Sequence, residues 1–342
     1  MNSVPAVKVD HLTKHYGAVA AIDGVSFTIQ AGEVVGFLGP NGAGKSTTMR
    51  ILAGIMPATS GRAFVCGTSV ARSPDVTKRY IGYMPENNPL PDDMRICEYL
   101  HFRAKIKEVP SKYIKTKVQE VMELCDLHHR TQKRIIGTLS KGYRQRVGIA
   151  DTLLNDPKVV IMDEPTIGLD PHQVIAIRRL INNLKGRTTI IFSSHILPEV
   201  EASCSQVIII NQGRIVAQGS PQVLQEKFLP FTRFRVVTHL QDMEKVKDLL
   251  SKNIPEIQLC LNPQGEAWGE VILETEDKQF PAERIFEVLR VDESIKVLEI
   301  SKHIPTLENV FLSATKKSWK EKTDLFIRAN TLNLQRNTKK ST

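Results

Sequence analysis

The sequence predicts an α/β protein: a large unit on a mainly parallel β-sheet, a helical insertion within it, and a small α+β unit after it. Three observations support this. Short apolar, β-branched runs alternate with helical patterns in residues 1–228, and continuously apolar strands are typical of a parallel sheet buried on both faces. A polar, β-poor helical stretch interrupts the alternation. Residues 229–315 then follow strand–helix–strand–strand–helix–strand order.

The elements of the large unit follow from these runs. The predicted strands are Glu33–Gly39, Lys158–Glu164, Thr188–Ser194 and Gln206–Gly213. The predicted helices are Ser46–Ile55, Gln173–Leu184 and Pro198–Ser203. Asp170 followed by Pro171 marks a helix start, because Asp is a good N-cap and Pro is tolerated in the first turn. We assign the helical subdomain to residues 87–150.

The small unit has the βαββαβ order of a ferredoxin-like domain. Each of its two helices should bury one face, made of Met243, Val246 and Leu250 in the first and of Ala282, Ile285, Phe286 and Leu289 in the second. None of its residues has catalytic spacing, so we interpret it as a structural or regulatory module.

The charge, the apolar stretches and the cysteines limit the classes of protein that fit this sequence. The formal charge of the 342 residues is +9, but Lys316–Thr342 holds eight Lys/Arg against two Asp/Glu. The basic excess is therefore a tail, 316–342, which we interpret as a solvated end or as a contact with anionic lipid. No nucleic-acid partner is expected. No apolar stretch approaches the ~18 residues of a membrane span, and the N-terminus lacks the apolar core of a signal peptide. The five cysteines form no C-x-x-C pair, which favours reduced thiols in the cytoplasm.

A phosphate-binding loop is predicted after the first buried strand. The stretch GPNGAGKST fits G-x-x-x-x-G-K-[ST] and opens a helix, which is the context that this motif requires. Its residues are Gly39, Pro40, Asn41, Gly42, Ala43, Gly44, Lys45, Ser46 and Thr47. We expect the backbone N–H groups to cradle phosphates, Lys45 to reach the β- and γ-phosphates, and Ser46 to ligate Mg²⁺.

Two acids end the apolar run VVIMDE. We expect Asp163 to hold Mg²⁺ and Glu164 to polarise an attacking water. Beside a phosphate loop, this pair predicts hydrolysis of a phosphoanhydride.

The stretch LSKGYRQR, Leu139–Arg146, resembles the LSGGQ signature of the ABC ATPases. Gly168–Asp170 resembles the D-loop of that family and His195 its switch histidine, while Tyr16 stands where the family places an aromatic ring under adenine. The resemblance covers about 225 residues and implies a P-loop NTPase fold that binds ATP with Mg²⁺.

The resemblance also implies a shared site. In the family, signature residues cap the γ-phosphate bound to a second subunit, which assigns that role to Ser140 and Gly142, with Asp170 nearby. One phosphate loop and one signature per chain then require a homodimer. His195 would contact the γ-phosphate.

Three residues depart from the family pattern. Lys141 and Tyr143 replace Gly and Gln of the signature, and Glu86 in PENNPL stands where the family has Gln. PENNPL and LENVFLSATK (Leu307–Lys316) are similar to the type 2 export ATPases, the subgroup related to gliding motility and drug export. Glu86 is then either a Mg²⁺ ligand or a contact for a membrane partner.

We therefore predict the ATP-hydrolysing subunit of an ABC exporter. It would lie peripherally at the cytoplasmic face and energise a separate polytopic membrane subunit, whose cytoplasmic helices meet Glu86–Arg95 and the helical insertion. The alternative is a soluble ABC ATPase acting on ribosomes or nucleic acid. The family's members of that kind carry two ATPase units or a long coiled coil, which this chain lacks. A non-hydrolysing module conflicts with the intact motif residues.

Overall fold

The computed structural model describes residues 4–127, 131–228, 231–264, 267–277, 279–292, 294–303 and 306–315. The basic tail lies outside these residues. The chain divides into two compact units, the first running to Pro221 and resuming at Ala314, and the second formed by Gln222–Ser313. Among the described residues, no helix combines the length and the apolar character needed to cross a bilayer.

The strands of the first unit are β1 (Val7–Tyr16), β2 (Val19–Ile29), β3 (Val34–Leu38), β4 (Ser60–Val65), β5 (Thr68–Ser69), β6 (Ile81–Met84), β7 (Val159–Met162), β8 (Thr189–Ser194), β9 (Gln206–Asn211) and β10 (Arg214–Gly219). Its helices are α1 (Lys45–Leu52), α2 (Pro74–Tyr80), α3 (Ile96–Ile106), α4 (Ile114–Leu124), α5 (Lys141–Leu153), α6 (Pro171–Leu184) and α7 (Leu197–Ser203), and α8 (Pro221–Phe228) follows where the units divide.

The central sheet has six strands in the order β10-β9-β3-β8-β7-β6. All neighbours from β9 to β6 are parallel, and only β10 is antiparallel. Every residue of β3, β7 and β8 is buried, which confirms the mainly parallel sheet predicted from the continuous apolar runs. Because the strands are parallel, the residues that follow β3, β6, β7 and β8 lie along one edge of the sheet, the usual place for a ligand.

A second, antiparallel sheet of order β2-β1-β4-β5 was not predicted. Its strands alternate in burial and are irregular, with register shifts along β1, so they lack the continuous apolar runs that revealed the central sheet. Both sheets share one core with α1, and the rings of Phe27 and Phe37 lie 5.8 Å apart across it.

The predicted helical insertion consists of α3 and α4, which pack on each other and on α5. Leu100 and Ala104 of α3 and Val121 of α4 are fully buried between them. The Arg103 guanidinium donates two hydrogen bonds of 3.0 Å to the Asp151 carboxylate. This bidentate ion pair connects α3 of the insertion with the C-terminal end of α5.

The second unit has the predicted βαββαβ order: β11 (Thr232–His239), α9 (Met243–Asn253), β12 (Gln258–Gln264), β13 (Trp268–Thr275), α10 (Ala282–Leu289) and β14 (Val297–His303). Its antiparallel sheet runs β12-β13-β11-β14, and the two helices share its core. Residues 307–315 are helical.

The predicted helix faces are confirmed with one exception. Met243, Val246 and Leu250 are buried, as are Ile285 and Leu289. Phe286, placed on the buried face by its spacing, is instead 57% exposed. The buried stripe of α10 is centred on Ile285, and Phe286 is turned about 100° from it around the helix axis.

Candidate active site

The predicted phosphate loop, Gly39–Thr47, joins β3 to α1 and is shaped by two glycines. Gly44 has φ of 107°, and a Cβ there would lie 2.6 Å from the carbonyl oxygen of Ala21. A Cβ on Gly39 would collide with the carbonyl oxygen of Ile210. Larger residues would therefore displace the loop, and α1 begins directly after it, so the free N–H groups of a helix start lie at the loop.

Lys45 is a buried cation whose ammonium group is hydrogen-bonded by carbonyl oxygens of the loop. The residue is 6% exposed, and its amine donates hydrogen bonds to the carbonyl oxygens of Gly39 at 2.7 Å and Pro40 at 3.3 Å. The Glu164 Oε1 atom lies 3.7 Å from the same amine. The loop after β3 and the acid after β7 therefore meet at one ammonium group, at the edge of the sheet where these parallel strands end.

Asp163 is fully buried directly after β7. Its Oδ1 accepts a 2.7 Å hydrogen bond from the Ser193 hydroxyl, and its Oδ2 is buried without a partner among the described residues. An unsatisfied buried carboxylate oxygen is costly. Carboxylate oxygens are the ligands that divalent cations such as Mg²⁺ prefer, so the donor set fits Mg²⁺.

Glu164 is held in a strained conformation. Its φ is 49°, in the left-handed region that residues other than glycine rarely adopt. The Glu164 N–H donates a 2.8 Å hydrogen bond to the Ser193 Oγ atom, and Glu164 Oε2 lies 2.8 Å from Nδ1 of the half-exposed His195. Lys45, Asp163, Glu164 and His195 thus form one connected cluster, with Ser193 at its base.

The other two predicted metal ligands, Ser46 and Glu86, are less buried than Asp163. Ser46 is half-buried at the start of α1, while Glu86 is exposed on the loop after β6 and makes no hydrogen bond or ion pair with the described residues. In the described part of the chain, no group of three or more His, Cys, Asp or Glu side chains has a metal-binding arrangement. A Mg²⁺ ion bound together with nucleotide phosphates needs few protein ligands.

Tyr16 and Asp170 occupy defined positions. Tyr16 is 48% exposed, and its hydroxyl donates to the Met56 sulfur at 2.9 Å. Asp170 caps α6 by accepting a 2.9 Å hydrogen bond from the Gln173 N–H, which confirms the helix start predicted at Asp170 and Pro171.

The signature residues lie at the start of α5. Ser140 is the exposed N-cap and Gly142 is buried. The substituted Lys141 extends toward the turn that follows Glu164, where a Cβ on Gly168 would be 2.5 Å from the Lys141 amine. Tyr143 also differs from the family pattern, and the Arg146 guanidinium lies 5.4 Å from the centre of its ring. No described hydrogen bond joins Ser140 or Gly142 to the phosphate loop.

Three residues of the site were missed from the sequence. The first is Ser193, which forms hydrogen bonds with both Asp163 and Glu164. In the sequence it could be recognised only as part of a strand that ends in two serines. Glu199 of α7 is 7% exposed, and its Oε2 accepts a 2.9 Å hydrogen bond from the Thr166 hydroxyl. Burial raises the pKa of Glu199, against the opposing effect of the Thr166 hydrogen bond. No sequence pattern identified Thr166 or Glu199.

Comparisons with known proteins agree with this arrangement. The family model described as ABC transporter matches residues 22–167. The Nod factor export ATP-binding protein I of Ralstonia nicotianae is 32% identical, over 80% of this chain and 82% of its own length. The bacitracin transport ATP-binding protein BcrA of Bacillus licheniformis is 35% identical, over 72% and 79%. The structure of CbiO1 from Clostridium perfringens, part of the ABC transporter complex CbiONQ, is 28% identical with a TM-score of 0.59, over 73% and 96%.

Proposed function

Because the chain belongs to the ABC transporter family of ATP-binding proteins, we propose that it is the ATP-hydrolysing subunit of an exporter with a separate membrane subunit. The observation that carries the proposal is the cluster in which the Lys45 ammonium lies between the phosphate loop and Glu164. Ser193 links Glu164 to Asp163, whose Oδ2 atom has no partner among the described residues. Two relatives are named for Nod factor export and bacitracin transport. Neither name supports the alternative of a ribosome- or nucleic-acid-acting ATPase.

The phosphate loop would bind the triphosphate of ATP, with the ring of Tyr16 beneath the adenine. The free N–H groups of the loop and of the start of α1 would bind phosphate oxygens, and the Lys45 amine would exchange its bonds to the Gly39 and Pro40 carbonyl oxygens for phosphate oxygens. Ser46 and Asp163 would hold Mg²⁺, which neutralises charge on the phosphate oxygens. We propose Glu86 as a further metal ligand.

Glu164 would act as the base. Water attacks the γ-phosphorus, the bond to ADP breaks, and Glu164 takes the proton that water releases, giving ADP and inorganic phosphate. His195, bonded to Glu164 Oε2, holds the carboxylate in orientation and contacts the γ-phosphate. The left-handed backbone at Glu164 fits a residue whose position is set by function rather than by local preference.

The site is completed by a second copy of the chain. Ser140 is exposed at the N-terminus of the 13-residue α5, where the helix dipole and free N–H groups favour an anion. We propose that Ser140 and Gly142 cap the γ-phosphate held by the partner subunit, with Asp170 at the same interface. ATP would then close the homodimer and hydrolysis would reopen it.

Mixing two inactive variants tests this sharing. Lys45→Ala chains lack the cation of the loop and Ser140→Arg chains obstruct the signature, so each homodimer should be inactive. Heterodimers contain one intact site and one doubly defective site, so the mixture should regain ATPase activity. The heterodimer fraction is measured in parallel with two affinity tags. Heterodimers that form without regaining activity would contradict sharing of the sites between subunits.

The membrane subunit would dock on Glu86–Arg95 and the helical insertion. This loop is tied to the signature helix, because the Arg144 guanidinium donates to the Asp92 carboxylate at 2.5 Å and the Asn88 amide lies 3.5 Å from the Arg144 carbonyl oxygen. A movement of the partner's helices would therefore be transmitted to α5. We also propose the functional division 1–228 for ATP hydrolysis, 229–315 for a structural or regulatory module and 316–342 for the tail.

Purification from membranes tests the whole proposal. We expect Mg²⁺-dependent ATPase activity and co-purification with a polytopic membrane protein at the cytoplasmic face. If active protein is recovered from membranes and no polytopic membrane protein co-purifies with it, the exporter role is refuted; if no preparation hydrolyses ATP, the ATPase function is refuted.

The basic tail is proposed to contact anionic lipid. Basic residues near an anionic leaflet contribute about 1 kcal/mol each, and Lys316–Thr342 has eight of them. Truncation after Ala314 should leave ATPase activity unchanged and reduce salt-sensitive binding to phosphatidylserine vesicles in flotation. Neutral phosphatidylcholine vesicles are the control. Equal flotation of both forms with the anionic vesicles would refute the contact.

A further inference from the structure

Glu199 is a buried acid that the proposed mechanism leaves without a role. It lies in α7 and is 7% exposed. Its Oε2 accepts the hydroxyl hydrogen of Thr166, which is itself 5% exposed. Its Oε1 is buried with no hydrogen-bond partner in the described part of the chain. An apolar side chain would fill this place at lower cost, so the carboxylate calls for an explanation.

Thr166 lies inside the turn that begins at Glu164. The Ile167 N–H donates to the Glu164 carbonyl oxygen at 3.2 Å, and the Leu169 N–H donates to the Thr166 carbonyl oxygen at 3.2 Å. The turn thus connects Glu164 with Asp170, the cap of α6. Whatever holds the Thr166 side chain therefore holds the segment between the proposed base and the proposed dimer contact.

Glu199 is well placed to hold it. Its helix, α7, begins two residues after His195. The helix packs against the central sheet, where Val200 is fully buried against Gly36 of β3. The Thr166 hydrogen bond joins this anchored helix to the turn. The ionisable side chains whose charge can act on Glu199 are those of His195 before α7, Arg178 of α6 and Glu164 after β7.

We propose that Glu199 is a positioning residue for hydrolysis: through Thr166 it sets the Glu164–Asp170 turn against the helix that follows His195. One hydrogen bond then keeps Glu164 and His195 in register as the site opens and closes. The inference rests on the proposed ATPase function, since it assigns a role in that same site.

Two variants remove the bond from opposite sides. Thr166→Val keeps the shape of the side chain and removes the donor, and Glu199→Ala removes the acceptor. Each should lower kcat about tenfold while KM for ATP stays within about twofold, because small misplacements of catalytic groups slow the chemical step more than binding. The double variant should be no slower than Glu199→Ala alone. Glu199→Gln, which keeps an acceptor oxygen, should retain most of the activity.

Thr152→Val is the matched control for lost stability. Thr152 is 1% exposed and donates a 2.7 Å hydrogen bond to the Ile149 carbonyl oxygen within α5, away from the site. Its variant should lose a similar amount of thermal stability and keep its kcat. Thermal unfolding and steady-state ATPase assays give both quantities for every variant.

The outcomes separate the two ideas. If the wild type does not hydrolyse ATP, the proposed function fails. If the wild type is active and Thr166→Val retains its kcat, or if Thr152→Val loses as much kcat, the positioning role alone is overturned. Should Glu199→Ala fail to fold, Thr166→Val and Glu199→Gln decide the question by the same criteria.

Discussion

A charged cluster of the first unit and an ion-pair group of the second unit differ in their exposure to solvent. In the first, Lys45, Asp163 and Glu164 are each less than a tenth exposed. In the second, the Arg235 guanidinium bonds Glu270 at 3.0 Å and Glu299 at 2.7 Å on a sheet face where the arginine side chain is 41% exposed. Burying an ion costs several kcal/mol, whereas exposed ion pairs are worth little. The comparison assigns chemistry to the first group and solvation of a sheet face to the second.

The largest expected effect comes from removing the charge of the buried acid. Glu164→Gln should reduce ATP turnover by at least about 100-fold, the usual contribution of a positioned base, and should leave ATP binding intact. The matched control is Glu270→Gln, which neutralises a carboxylate paired with a cation on the sheet of the second unit. Turnover and nucleotide binding are measured on both. Hydrolysis by Glu164→Gln within a few-fold of the wild type would exclude it as the base.

An intermediate effect is expected at Glu86, which is exposed although it belongs to the same sheet edge. If Glu86 ligates Mg²⁺, Glu86→Ala should raise the Mg²⁺ concentration needed for hydrolysis, because an oxygen ligand is lost. Glu86→Gln keeps one oxygen and should shift less. A Mg²⁺ titration of the isolated subunit measures both. Superimposable curves for the wild type and the two variants would assign Glu86 to partner contact instead.

The smallest effect is expected in the second unit. Arg235→Ala removes the centre of this ion-pair group. Arg235 and Glu299 are 41% and 49% exposed, while Glu270 is 13% exposed. Because the arginine is largely solvated, ATP turnover should not change and the thermal midpoint should move little. Differential scanning fluorimetry and the ATPase assay provide the measurements. A large loss of activity would mean that the second unit regulates hydrolysis, and the contrast between the units would fail.

Most of the architecture was predictable because its signals are local. Apolar runs identified the central strands, and the 3.6-residue period identified the helix faces of Met243 and Ile285. The antiparallel β1–β2–β4–β5 sheet was missed because its strands are irregular and only partly buried. Phe286 was placed wrongly because spacing defines a stripe on a helix, while the neighbouring sheet decides which edge of that stripe is covered.

The sequence by itself predicted the phosphate loop Gly39–Thr47 and the acid pair Asp163 and Glu164. Their signals are adjacent in the chain: a glycine-rich loop with Lys45, a helix start behind it, and two acids at a strand end. Only the tertiary structure revealed that Ser193 bonds both Asp163 and Glu164, and that Glu199 holds Thr166. Those partners are 29 to 33 residues apart in the chain. They meet because β7 and β8 pair in parallel, and the register of that pairing is set by the packing of the whole sheet rather than by either segment alone.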